Sequence, residues 1–158
     1  MKKTNAVRIL DREGIVYELI TYTYDEADLS VLQIAEENDL PVEAVYKTLV
    51  LKGNKSGPLV AVIPGHRSLN MKALAKLSSN KKVAMIPVKD IPALTGYIRG
   101  GCSPFGMKKK FPVYVDKSAF DQVQLYVNAG QRGLLMKLVP EALISVTGAQ
   151  SGRIANPE

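Results

Sequence analysis

The chain is poor in the residues from which most reaction centres are built. Among 158 residues it has one cysteine, Cys102, and one histidine, His66. A single cysteine excludes an internal disulfide and fits a reducing compartment, so the expected location is cytoplasmic. Metal centres made of paired cysteines or several histidines cannot be assembled from this set, and neither a metal nor another cofactor is expected. Long hydrophobic runs are missing as well. The apolar stretch after the basic start Met1-Lys2-Lys3 is broken by Arg8, Asp11, Arg12 and Glu13, which leaves no signal-peptide core, and nothing later approaches a membrane span. The glycine signatures of nucleotide-binding folds are also absent. Gly96, Gly100 and Gly101 lack the Gly-x-Gly-x-x-Gly spacing between a strand and a helix, and there is no Walker sequence.

What remains is a chain of 46% hydrophobic residues, enough for one core, with an uneven distribution of charge. Residues 1–46 hold 4 basic and 10 acidic side chains, whereas residues 47–138 hold 16 basic and 3 acidic ones. An overall charge of +6 therefore conceals a cationic middle segment, which points to a phosphate-backbone partner or, more plainly, to a soluble basic surface.

Local signals predict a mixed α/β fold. Thr4 is placed to cap a helix carrying Ala6, Val7, Ile9 and Leu10, with Gly14 as its stop. Residues 15–24 read as a strand, followed by an acidic turn at Asp25, Glu26 and Asp28. Ser30 and Gln33 form a capping-box pattern for a helix ending near Asn38, and Pro41 opens a further turn. Residues 46–51 and 59–64 are apolar runs flanking a Gly-Pro-rich turn, a hairpin expected at the centre of the sheet. Asn70 caps a helix over 71–77, a strand follows over 83–88, and Asp90 with Pro92 starts a short helix. Residues 112–115, 124–127 and 134–139 read as strands and 140–146 as a last helix. One domain is expected over residues 1–147, built on a mostly antiparallel or barrel-like sheet, with a polar, frayed tail over 148–158.

Three places could carry chemistry. Residues 96–110 contain four glycines and a proline and end in Lys108, Lys109 and Lys110. Such a loop offers bare peptide N–H groups to a phosphate, a carboxylate or the oxyanion of an ester, or else serves as a flexible connector. Lys47 heads an apolar strand and shares a face with Leu49 and Leu51, so its ammonium leans over a partly buried pocket or snorkels to water. Cys102 sits in the glycine loop without a histidine base beside it, and nothing in the sequence around His66, in a surface turn, supports a triad, so neither is expected to be catalytic, with tRNA contact as the alternative for His66.

Three blocks, 45–50 (Val-Tyr-Lys-Thr-Leu-Val), 95–109 (Thr-Gly-Tyr-Ile-Arg-Gly-Gly-Cys-Ser-Pro-Phe-Gly-Met-Lys-Lys) and 126–133 (Tyr-Val-Asn-Ala-Gly-Gln-Arg-Gly), resemble in order and spacing the signature blocks of the YbaK/EbsC family. The resemblance spans nearly the whole chain. It implies a free-standing relative of the editing domain of bacterial prolyl-tRNA synthetases, with a mixed α/β fold around a small barrel-like sheet. It also implies an aminoacyl-tRNA deacylase that clears mischarged tRNA, foremost Cys-tRNA(Pro) and otherwise Cys-tRNA(Cys). The substrate's own thiol would attack the ester and leave as a thiolactone, so no enzyme nucleophile is needed. Alternatives are a deacylase for alanyl or seryl groups, release by water, and a non-catalytic tRNA- or nucleotide-binding module. By the same resemblance Lys47, Gly100 and Gly101 are catalytic, while Tyr22, Thr48, Ser103, Asn128, Arg132 and Gly133 bind substrate. Lys72, Lys76, Lys81, Lys82, Arg99 and Lys108 to Lys110 are expected to hold the tRNA acceptor end, with prolyl-tRNA synthetase as a partner that could supply tRNA specificity. Asn128, Gln131 and Leu135 stand where serine, lysine and an acid are usual, and no aromatic stands near Leu29 or Ser30. These departures concern the pocket walls and hence the amino acid preferred.

Overall fold

Capping residues set where the first helices begin. The computed structural model describes residues 3–157, so Met1, Lys2 and Glu158 lie outside the described residues. Helix α1 (Asn5–Arg12) starts at Thr4, whose hydroxyl accepts the Val7 N–H at 3.2 Å, and it buries Ala6, Val7 and Leu10. Helix α2 (Val31–Glu37) starts likewise at Ser30, which accepts the Gln33 N–H at 3.3 Å. The expected capping box is only half made. The Gln33 amide reaches forward to Glu37 at 2.6 Å, and the Ser30 N–H goes instead to Asp28 Oδ1 at 3.1 Å.

Strand β1 is confined to Glu18–Thr21, shorter than its β-branched run, because only those residues find a partner. Strands β2 (Tyr46–Gly53) and β3 (Gly57–Pro64) form the expected hairpin in unbroken register from Tyr46↔Pro64 to Gly53↔Gly57. Its turn is closed by buried Asn80, whose Oδ1 accepts the Lys55 and Ser56 N–H groups at 2.9 and 3.0 Å. Helix α3 (Met71–Leu77) is capped by Asn70 as anticipated. Strand β4 (Val83–Met85) ends three residues earlier than predicted, pairing only with residues 51–53 of β2. Helix α4 (Ile91–Thr95), β5 (Val113–Asp116), β6 (Leu125–Gln131), β7 (Leu134–Leu138), α5 (Glu141–Thr147) and β8 (Gln150–Gly152) complete the chain.

The strands make two sheets, β1-β7-β6 and β4-β2-β3-β5-β8, and not one closed barrel; a single bridge, Val45↔Tyr126, links them. Pairing is antiparallel except along β3-β5 and β5-β8. The main core lies between the sheets, with Val60, Val62, Val113 and Val115 facing Val127, Leu134, Met136 and Leu138, and α1 and α5 closing it. On the outer face of the larger sheet Leu51, Leu59, Ala61 and Ile63 pack on Leu74 and Ala75 of α3. Beneath the smaller sheet Tyr22 and Leu135 pack on Ile34 of α2. Covered on both faces, the apolar run of β3 is buried without alternation.

The polar tail is not frayed. Beyond α5 the chain turns back as β8, which pairs with β5, and Ile154 is only 1% exposed. The anchor is the buried carboxylate of Asp116, whose Oδ1 accepts the N–H groups of Ile154 and Ala155 at 2.9 Å each, while Oδ2 accepts from Ser118. Composition hid this, because one buried carboxylate supplies what a polar segment lacks in apolar surface. Asp116→Ala is expected to cost about 2–4 kcal/mol, since it strands several buried donors. Hydrogen exchange should show the amides of Ile154 and Ala155 losing protection before the β2–β3 hairpin does; retained protection would refute the anchor.

Candidate active site

The first half of β2 has no strand on the side opposite β3, since β4 pairs only from Leu51 onward. Along that free edge lies a cleft of about 460 Å³, closed by the glycine loop, by Asn128 of β6 and by the acidic turn before α2. Lys47 and Thr48 line it, as do Arg99, Gly100, Cys102 and Asp28. Two of the three sequence blocks are thus joined directly, and the third completes the wall.

The loop is held by shape. Gly100 has φ +81°, and a Cβ there would meet Leu29 Cδ1 at 3.0 Å and Arg132 Nε at 3.2 Å. At Gly101 a Cβ would lie 3.0 to 3.2 Å from the backbone of Gln131 and Arg132, which cannot yield as a flexible side chain can. Asn128 locks the same contact. Its amide donates to the Gly100 carbonyl at 2.9 Å and to the Gln131 carbonyl at 3.1 Å, and its oxygen accepts the Gly130 and Gln131 N–H groups at 2.7 and 3.1 Å. These bonds span the irregularity in β6 between Asn128 and Gln131, so one side chain shapes the bulge and ties the loop to it. Arg132 adds a bond from Nε to the Arg99 carbonyl at 2.9 Å.

Electrostatics set Lys47 apart. It is half-buried, and burial alone pushes its ammonium below the ordinary lysine range, with no carboxylate contribution opposing the shift. The only ion pair among the described residues joins Lys3 and Asp11. The hydroxyl of the next residue, Thr48, is buried without a hydrogen-bond partner among the described residues. Cys102 is buried, its thiol pushed up to about 12 by desolvation against a smaller opposing bond from Thr95, which makes it a packing residue beside Val50 and Tyr97.

The other predicted site residues are spread more widely. Tyr22 lies behind the cleft, not along it; burial raises its phenol, and the ring packs with Ile34 and Leu135. Ser103 is fully buried, and its hydroxyl accepts the Phe105 N–H at 3.2 Å, so it supports the loop from below and is not exposed to a ligand. The Gly101 N–H is bonded to the Ile98 carbonyl at 2.9 Å and is not a bare donor, whereas the Gly100 N–H makes no bond within the described residues. Gly133, in the turn between β6 and β7, accepts the Tyr22 N–H at 2.9 Å. Of the predicted cations only Arg99 reaches the cleft. Lys109 and Lys110 line a second groove of about 280 Å³ with Arg12 and Phe111, Lys108 lies near Arg8, and Lys72, Lys76, Lys81 and Lys82 are exposed about α3 and β4. His66 lies in the turn after β3, outside the cleft lining. Asp28, in the lining, was readable in the sequence only as part of an acidic turn. Among the described residues no three His, Cys, Asp or Glu side chains gather as metal ligands, and no helix is long and apolar enough to cross a membrane.

This two-sheet α/β architecture is shared with solved structures. One, described as a proposed trans-editing enzyme for prolyl-tRNA synthetase, superposes with a TM-score of 0.82 at 20% identity, covering 99% of this chain and 100% of the other. Another, a hypothetical protein, reaches 0.87 at 23% identity over 97% and 100%. The sequence narrows the class: residues 26–146 match the model of the aminoacyl-tRNA editing domain, and the chain belongs to that family. Over 99% of its length it is 46% identical to 96% of EbsC of Enterococcus faecalis, described as a proposed Cys-tRNA(Pro)/Cys-tRNA(Cys) deacylase. A proline–tRNA ligase of Thermosipho africanus is 31% identical over 80 residues, 51% of this chain and 14% of the ligase.

The buried thiol and the strained lysine give separable expectations. At pH 8 a thiol of this kind is ionised on the order of one part in ten thousand, so native Cys102 should resist iodoacetamide until the protein unfolds. Rapid native labelling would contradict its burial. Because Lys47 holds its proton less tightly folded than unfolded, stability should rise with pH between its lowered value and the ordinary one. Lys47→Met should remove the cost of the buried charge and raise Tm modestly at pH 7, whereas a lower Tm would mean that the ammonium is stabilising.

Proposed function

We propose that this protein is a cytoplasmic aminoacyl-tRNA deacylase that clears mischarged tRNA in trans, with Cys-tRNA(Pro) as its foremost substrate. The single observation that carries the reading is Lys47, an ammonium half-buried at the open edge of β2 with no counter-charge of its own, across the cleft from Gly100. An ester carbonyl that gains negative charge during attack is the kind of group such a cation would stabilise. The Gly100 N–H, which makes no bond within the described residues, is a further donor in the cleft. Family membership and the name of the Enterococcus faecalis relative support the substrate class.

The cleft lining offers no activated nucleophile, since the Cys102 thiol stays protonated. The substrate's own sulfur fills that role. Sγ of the cysteinyl group attacks the carbonyl carbon, the C–S bond forms, the C–O bond to the ribose breaks, and the thiol proton ends on the departing ribose oxygen. The products are a cyclic thiolactone and free tRNA. Lys47 and Gly100 hold the carbonyl oxygen through the step, and Gly101 keeps the loop seated against the β6 bulge. The tRNA body meets the exposed cations of the middle segment, none of which has an ion-pair partner among the described residues. Such contacts carry little sequence information, so selection of tRNA(Pro) falls to association with prolyl-tRNA synthetase.

Lys47→Ala should lower kcat/KM for Cys-tRNA(Pro) by about 10²- to 10³-fold while the fold persists, whereas turnover near that of wild type would remove Lys47 from the mechanism. Product analysis separates the chemistry: thiolactone supports attack by the substrate thiol, and free cysteine with equal turnover of Ala- and Ser-tRNA(Pro) supports water. Tight binding of all three without ester loss would refute the deacylase and leave a binding module. Cys102→Ala should keep its turnover in every case.

A further inference from the structure

We infer that Asp28 forms an ammonium subsite that holds the α-amino group of the bound aminoacyl ester, an inference that rests on the reading just given. Asp28 is the only acid in the cleft lining, where Lys47 and Arg99 are the cations. These opposite charges share one cleft without pairing. Asp28 belongs to no ion pair, and the lowering of Lys47 has burial as its sole cause, without a carboxylate contribution. A cleft that keeps a carboxylate and an ammonium apart matches a ligand that carries a cation beside a carbonyl. An aminoacyl ester is such a ligand, its α-ammonium one carbon removed from the carbonyl under attack.

The turn is built to hold Asp28 in place. Asp25 and Asp28 pair as an isolated bridge, the Asp28 N–H donates to the Asp25 carbonyl at 2.9 Å, and Asp25 Oδ1 accepts the Ala27 N–H at 2.9 Å. Asp28 Oδ1 accepts the Ser30 N–H at 3.1 Å, which orients the carboxylate and leaves Oδ2 unengaged. The side chain of the next residue, Leu29, packs on the glycine loop, its Cδ1 lying 3.0 Å from where a Gly100 β-carbon would be. A carbonyl held at Gly100 would have its α-amino group in the same cleft as Asp28.

The test measures binding of amide-linked, non-hydrolysable cysteinyl-adenosine, with its α-amine free or N-acetylated, to the full chain and to Asp28→Asn and Asp28→Glu. Asparagine keeps an acceptor for the Ser30 N–H, so the turn should survive. N-acetylation should weaken wild-type binding about tenfold, the effect of one charge-assisted bond at an exposed site. Asp28→Asn should weaken the free-amine analogue by a similar factor and leave the acetylated one unchanged, and Asp28→Glu should restore part of the difference. An equal acetylation penalty in wild type and Asp28→Asn would assign it to bulk and overturn the subsite, as would wild-type binding that is absent or indifferent to the amine. If amine discrimination holds while Cys-tRNA(Pro) stays intact in a separate assay, the deacylase reading fails and the subsite stands.

Discussion

The absence of a β-carbon at Gly101 is the constraint on which the site depends. With backbone atoms of Gln131 and Arg132 closer than a methyl group tolerates, the glycine loop can lie flat on the β6 bulge only if nothing projects from it. Asn128 then fixes the contact from the other side by bonding both the loop and the bulge. Everything that faces the cleft inherits its position from this junction. Gly100 is presented toward β2, Arg99 is tied through Arg132, and Leu29 brings the acidic turn down onto the loop. The bulge is a construction element, because its extra residues turn their N–H groups inward to one asparagine in place of a neighbouring strand.

Charge is distributed by the same logic. The main cores are apolar, and buried polar groups such as Asp116 and Asn80 are spent on tying chain segments together. Among the described residues every cation but Lys3 is left without an ion-pair partner, and one of them, Lys47, is drawn part of the way into the protein. A half-buried ammonium costs stability, and in a site for a polar ester that cost is offset when the ligand's carbonyl arrives. The turn at Asp25 to Asp28 gives the cationic cleft a single counterweight, placed where it does not neutralise Lys47.

Much of the fold was legible because its signals are local. Thr4, Ser30 and Asn70 cap the helices that they were expected to cap, and the Gly-Pro turn over 53–58 gave the hairpin and its central place. Boundaries failed where pairing, not propensity, decides. The run over 15–24 is β-forming throughout, yet only Glu18–Thr21 meets β7, and β4 pairs only with residues 51–53 of β2. The tail was misjudged because an Asp116 carboxylate, distant in sequence, captures two of its N–H groups. Lys47 and Gly100, singled out from residue type and block spacing, line the cleft. Ser103 and Tyr22 do not, and burial beneath a loop or behind a sheet leaves no mark on a single position.

The sequence by itself determined the family, the mixed α/β class, the absence of paired-cysteine or multi-histidine chemistry and the cationic middle, because composition and contiguous motifs carry these. The tertiary structure decided that two sheets stand in place of a barrel and that β2 keeps a free edge. It also decided that an acid from the N-terminal third lines the same cleft as Lys47. Those facts depend on which distant segments come to lie side by side, and that is settled by the packing of buried faces and the fit of Gly101 against the bulge, which no local pattern records.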